Sequence, residues 1–154
     1  MKNLGRGVAL ALLVAVVIVP SALASDGKIY PGAICRAENQ SHQQDLFYFR
    51  GGVENDGSSS RWVDCPLVTD DTNNTSGLQE LKAFVYIPGT TTVTCYAYSY
   101  DSGGEIYDSA SHSRNSTGAL DFDSEIDSVD NGFYRLRCWL PVDTRLATIR
   151  ASET

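Results

Sequence analysis

Helical periodicity is missing from this sequence: no stretch keeps apolar residues at a 3.6-residue period for three turns. That absence excludes helix bundles and alternating α/β folds. After residue 24 no apolar run reaches eighteen residues, so nothing in that part is long enough to span a bilayer as a helix. Closely spaced cysteines are absent too. The four, Cys35, Cys65, Cys95 and Cys138, lie 30, 30 and 43 residues apart, whereas zinc sites bring their ligands in pairs such as C-x-x-C. There is no Gly-x-Ser-x-Gly elbow, and His42 and His112 are the only histidines, so no local signature sets a strained nucleophile against a base.

What is present begins with a leader. Residues 1–24 combine Lys2 and Arg6, an apolar run from Val8 to Val19, a helix-breaking Pro20, and Ala22-Leu23-Ala24 before Ser25. These are the three parts of a secretory signal peptide, and a twelve-residue apolar core is short for a membrane anchor. Cleavage leaves 130 of the 154 residues, 25–154, as one exported domain, in the periplasm or the external medium. Both leader charges are basic, so the mature chain holds 10 basic against 19 acidic residues, a formal charge of −9. Nucleic acid and anionic membranes are captured by clustered Lys and Arg, so neither is an expected partner.

The mature part alternates in the two-residue period of half-buried strands. Candidate strands are Ala33 to Ala37, Asp45 to Val53, Ser60 to Val68, Glu80 to Ile87, Thr91 to Asp101, Glu105 to Ser111, Gly118 to Phe122, Gly132 to Leu140 and Arg145 to Ala151. Between them lie clusters such as Glu54-Asn55-Asp56-Gly57-Ser58, Thr69 to Gly77, Pro88-Gly89, Asp101-Ser102-Gly103-Gly104 and Asp130-Asn131-Gly132. Asn, Asp and Gly accept left-handed backbone angles and bond locally, which is why such clusters mark turns. The expected fold is all-β: an antiparallel two-layer sandwich, immunoglobulin-like or jelly-roll-like, built as a single domain.

Alternation also bears on the cysteines. Val93, Cys95 and Ala97 share one strand face, and Tyr134, Leu136, Cys138 and Leu140 share another, so both cysteines sit among inward apolar positions. In an oxidising compartment they form disulfides. Two inward cysteines on well-formed strands suit a bridge across a sandwich core, as in immunoglobulin-like domains, which pairs Cys95 with Cys138 and leaves Cys35 for Cys65.

Tyr30-Pro31-Gly32 before Cys35, Arg61-Trp62-Val63 with Cys65-Pro66, Thr94-Cys95-Tyr96, and Leu136, Cys138 and Leu140-Pro141 together form one pattern spread along the chain. The pattern resembles that of a group of small exported bacterial proteins, over nearly the whole mature length. The resemblance implies an exported β-rich domain with the same cysteine framework. It transfers no catalytic or binding role to any residue.

Three sets of residues carry possible chemistry. Asp121, Asp123, Glu125 and Asp127 alternate in an acidic stretch that could converge on Ca²⁺. Counting from Asp121, however, the glycine and glutamate that an EF-hand needs at positions six and twelve are Ile126 and Gly132, so a solvated sheet edge is the plainer expectation. Either histidine, His112 in Ser111-His112-Ser113 or His42, could serve a serine–histidine–acid arrangement only in a pocket that holds it within reach of a hydroxyl and a carboxylate. The third set is aromatic. If the cysteine faces point inward, Tyr96, Tyr98 and Tyr100 line the outer face of one strand and Phe133, Arg135, Arg137 and Trp139 that of another, with Trp62, Phe84 and Tyr86 extending such surfaces. Aromatic planes beside polar groups are what a sugar-binding surface uses, although cross-strand aromatic pairs also stabilise a sheet by about 0.2–1 kcal/mol without any ligand. Asn39, Asn73, Asn74 and Asn115 stand in N-x-Ser/Thr triplets; in a bacterial chain they are ordinary turn residues. The expectation is an exported, non-catalytic structural or interaction domain that needs no cofactor. A carbohydrate-binding module is the alternative and a hydrolase the third reading, with a carbohydrate or an envelope protein as candidate partner.

Overall fold

Alternating apolar and polar side chains produce eleven strands in the computed structural model, which describes residues 27–68 and 77–153. The leader and the Asn73–Asn74 triplets lie outside the described residues. One sheet holds β1 (Gly27–Pro31), β3 (Leu46–Phe49), β4 (Gly52–Asn55), β6 (Leu78–Tyr86), β9 (Gly118–Asp121) and β11 (Arg145–Glu153), in the order β3-β4-β11-β6-β9. The other holds β2 (Arg36–Ala37), β5 (Arg61–Leu67), β7 (Val93–Tyr100), β8 (Ile106–Arg114) and β10 (Phe133–Leu140), in the order β2-β5-β10-β7-β8. All pairings are antiparallel.

From β4 onward the chain crosses between sheets at nearly every step, only β7 and β8 being consecutive neighbours in one sheet. Its main strands form two four-stranded layers, β4-β11-β6-β9 and β5-β10-β7-β8. This is the double-sheet jelly roll rather than the immunoglobulin arrangement. Between the layers lie Val53, Leu81, Ala83, Leu146 and Ile149 from one sheet and Val63, Val93, Leu136 and Leu140 from the other, all buried. Each of the Val, Leu and Ile side chains contributes about 1.5–3 kcal/mol on removal from water.

Both disulfides form as paired from the sequence, but the second is placed differently. Cys95 and Cys138 face each other on neighbouring strands β7 and β10 of one sheet, with Cα atoms 4.1 Å apart. The bridge is a cross-strand staple under the core face, not a tie between layers. The reason is register: two inward residues can be direct neighbours within a sheet as readily as partners across it. Cys35 and Cys65 join the 3-10 turn Gly32–Ile34 to β5.

Three further expectations are corrected. The stretch Asp45 to Val53 is not one strand but the hairpin β3–β4, turning over Arg50 and Gly51. Ala33 to Ala37 divides into that 3-10 turn and the short β2. Phe84 and Tyr86 do lie outward, but on β6 of the opposite sheet, so they cannot extend the surface of Trp62.

One edge of β11 serves two partners: β4 pairs with Arg145 and Leu146, β1 with Thr148 to Ser152. On the opposite edge, the pairing with β6 shifts register between Leu146 and Thr148, level with this changeover. Gly32 and Gly52 sit against the Leu146 carbonyl there, so a side chain at either position would collide with backbone.

Asn55, fully buried, stitches the end of β4 to the other sheet. Its Nδ2 donates to the carbonyls of Leu140 at 2.8 Å and Ser59 at 2.9 Å, and its Oδ1 accepts from the Gly57 amide.

Candidate functional site

The outer face of the five-stranded sheet is built by the alternation that buries Cys95, Ala97, Leu136 and Cys138. Each inward residue forces its neighbours out, so β7 presents Thr94, Tyr96, Tyr98 and Tyr100, and β10 presents Phe133, Arg135, Arg137 and Trp139. Register then fixes who meets whom. Trp139 faces Trp62 of β5, Arg137 faces Tyr96, Arg135 faces Tyr98, and Phe133 faces Tyr100.

The six rings touch in an unbroken row. Centroid separations are 5.1 Å for Trp139–Trp62, 5.8 Å for Trp62–Tyr96, 6.2 Å for Tyr96–Tyr98, 6.0 Å for Tyr98–Tyr100 and 4.9 Å for Tyr100–Phe133. Tyr96 and Tyr98 lie within 10° of parallel, and Tyr100 and Phe133 within 6°. All are half-buried except Phe133, which is exposed, so each keeps surface on the solvent side. The sequence identified Tyr96, Tyr98, Tyr100 and Trp139 for this face, and the structure brings all four together.

Two guanidinium groups are set into the row. Arg137 lies over the Trp62 ring, 4.5 Å from its centroid, and forms an ion pair with Glu38. Burial opposes its charge, but the Glu38 bond and the nearby Asp64 carboxylate outweigh that and hold the proton more firmly than usual. Arg135 lies 5.7 Å from the Tyr100 centroid. Burial pushes the Tyr98 hydroxyl's pKa above its ordinary value, with Arg137 opposing. Beside the tyrosines, β8 turns Ser109, Ser111 and Ser113 to the same face, opposite Tyr98, Tyr96 and Thr94. Thr94 and Ser113 share a hydroxyl hydrogen bond of 2.7 Å.

At the Trp62–Trp139 end the face drops into a cleft of about 890 Å³, walled by Glu38, His42, Ser59, Ser60 and Arg61 besides the two indoles. Arg61 is fixed there by Asp45 at 2.6 Å. Sequence reasoning missed this cleft and the Glu38–Arg137 pair. Glu38 is 99 residues from its arginine, and no local pattern reports such a contact.

The remaining candidates are dispersed. Asp123 and Asp121 face Lys82 at 2.5 and 3.6 Å, Glu125 bonds His112 at 2.8 Å, and Asp127 takes its place through its backbone amide on Asp108. Among the described residues no three metal-ligating side chains form a group. The acidic stretch is not wholly a solvated edge, because Phe122 and Ile126 are buried in the core and pin it down. Burial pushes the Asp123 carboxyl's pKa up, but the bonds from Lys82 and the Leu81 amide overcome this and leave it below the ordinary value. His112 packs edge-on against Phe122, while its flanking Ser111 and Ser113 point to the opposite side of the strand.

No protein-family model matches the chain, and no curated protein matches it. Among solved structures it is similar to that of the Podospora anserina GH26-CBM35 β-(1,4)-mannanase, at 10% identity and a TM-score of 0.42. The match covers 83% of this chain and 28% of that one. Among the described residues no helix is long and apolar enough to cross a membrane.

Proposed function

We propose that the chain is an exported, non-catalytic binding domain whose outer aromatic face takes carbohydrate. The observation carrying this reading is the unbroken row from Trp139 to Phe133, six rings on one side of one sheet. Pyranose rings have an apolar face of axial C–H bonds and a rim of hydroxyls. A row of π-surfaces offers the first a place to stack, and the serines of β8 with the tyrosine hydroxyls offer the second its hydrogen bonds. Rings about 6 Å apart along a strand repeat on the scale of successive sugar units, which favours an extended polysaccharide over a single sugar. The paired cysteines suit an oxidising, extracytoplasmic setting.

Affinity electrophoresis through gels carrying a panel of soluble polysaccharides tests the reading. Retardation of the wild type, lost in Tyr98→Ala and kept in Phe84→Ala on the opposite sheet, is the expected result. Free migration in every gel, or equal retardation of Tyr98→Ala and the wild type, would reject it.

A further inference from the structure

The Trp62 end of the aromatic face carries carboxylates, Glu38 paired with Arg137 and Asp64 opposite it, but the strands beyond that end carry none on this face. The protein as a whole has 12 basic and 19 acidic residues, yet the outward positions of β7, β8 and β10 hold no carboxylate and two arginines. The two arginines differ in one respect. Arg137 is committed to Glu38, as Arg61, Arg145 and Arg150 elsewhere are committed to Asp45, Glu54 and Glu80. Arg135 is exposed, and among the described residues its guanidinium has neither an ion pair nor a hydrogen bond. Its one interaction is with the ring of Tyr100.

A guanidinium held beside an aromatic ring keeps its donor edges available, and its planar fork matches a carboxylate. The position matters as much as the chemistry. Arg135 stands in the middle of the row, directly across from Tyr98 and next in line to Phe133 and Tyr100. A sugar stacked on Tyr98 or Tyr100 therefore has Arg135 at its rim.

We infer that the ligand is an acidic polysaccharide: sugar rings stack on Tyr98, Tyr100 and Phe133, and a uronate carboxylate is taken by Arg135. This rests on the carbohydrate reading above and narrows it. The mature chain's formal charge of −9 opposes a polyanion at long range, but exposed charges more than about 8–10 Å away are largely screened at physiological salt, leaving the local cation to decide. Arg135 is the uncommitted arginine of β7 and β10, and one guanidinium serves a carboxylate. It does not make the basic cluster that nucleic acid needs.

The test titrates the exported protein with polygalacturonate, with the same polymer after chemical reduction of its carboxyl groups, and with a neutral β-glucan, in the presence of a chelator. Calorimetry on wild type, Arg135→Gln and Arg135→Lys gives the affinities, and near-ultraviolet circular dichroism verifies that the variants fold. The expected result is binding to polygalacturonate at least about tenfold tighter than to its reduced form. That preference is abolished in Arg135→Gln and partly kept in Arg135→Lys. Equal affinity for both polymers, or an Arg135→Gln variant that keeps the preference, overturns the acidic-ligand inference while leaving the carbohydrate reading in place. Binding to no polymer overturns both.

Discussion

Trp62 and Trp139 stand directly opposite each other on β5 and β10, ring centroids 5.1 Å apart, and they are the chain's two tryptophans. All indole fluorescence thus originates at one end of the aromatic face. A bound glycan should change the emission intensity or wavelength, in step with the bound fraction measured independently. Trp139→Ala should weaken binding about tenfold, or ~1.4 kcal/mol. Saturation without any spectral change would place the ligand elsewhere.

Reading the sequence identified the faces of these strands but not their neighbours. Alternation put Cys95, Cys138, Tyr96, Tyr98, Tyr100 and Trp139 on their correct sides because a strand's period is set by backbone geometry alone. It could not say that Cys95 and Cys138 belong to adjacent strands, or that Phe84 and Tyr86 belong to the other sheet. Those facts depend on pairing between distant segments. The β3–β4 hairpin was hidden because its turn, Arg50-Gly51, interrupts a nearly continuous apolar stretch with only two residues.

Removing either disulfide tests the covalent frame. Cys95→Ala/Cys138→Ala and Cys35→Ala/Cys65→Ala should each cost about 2–5 kcal/mol in urea unfolding. Their sequence separations, 43 and 30 residues, differ too little for loop-closure entropy to separate them by more than about 0.3 kcal/mol. A double variant as stable as the wild type would show that its bridge does not constrain the fold.

Asn55→Ala leaves the buried carbonyl of Leu140, and the half-buried bond to the Ser59 carbonyl, without the donor that joins them. An unpaired buried polar group costs about 1–3 kcal/mol. The variant's urea midpoint should fall by a corresponding amount with an unchanged slope. A shift within error would mean that those carbonyls find other partners.

The Lys82–Asp123 pair predicts a specific acid response. Since Asp123's folded pKa lies below its ordinary value, its contribution to stability is complete above the unfolded carboxyl pKa and is lost as pH falls through the folded one. Asp123→Asn should therefore be less stable than wild type near neutrality, and the difference should shrink towards low pH. Thermal melts across that range measure it. A constant difference would assign the effect to packing rather than to charge.

The most direct measurement of the central claim is a calorimetric titration of polysaccharides into the wild type and into Tyr96→Ala/Tyr98→Ala, which opens a gap in the middle of the ring row. Saturable heat with at least one polymer, abolished in a double variant that still melts cooperatively, is what the account predicts. A polymer bound equally well by both proteins would contradict it.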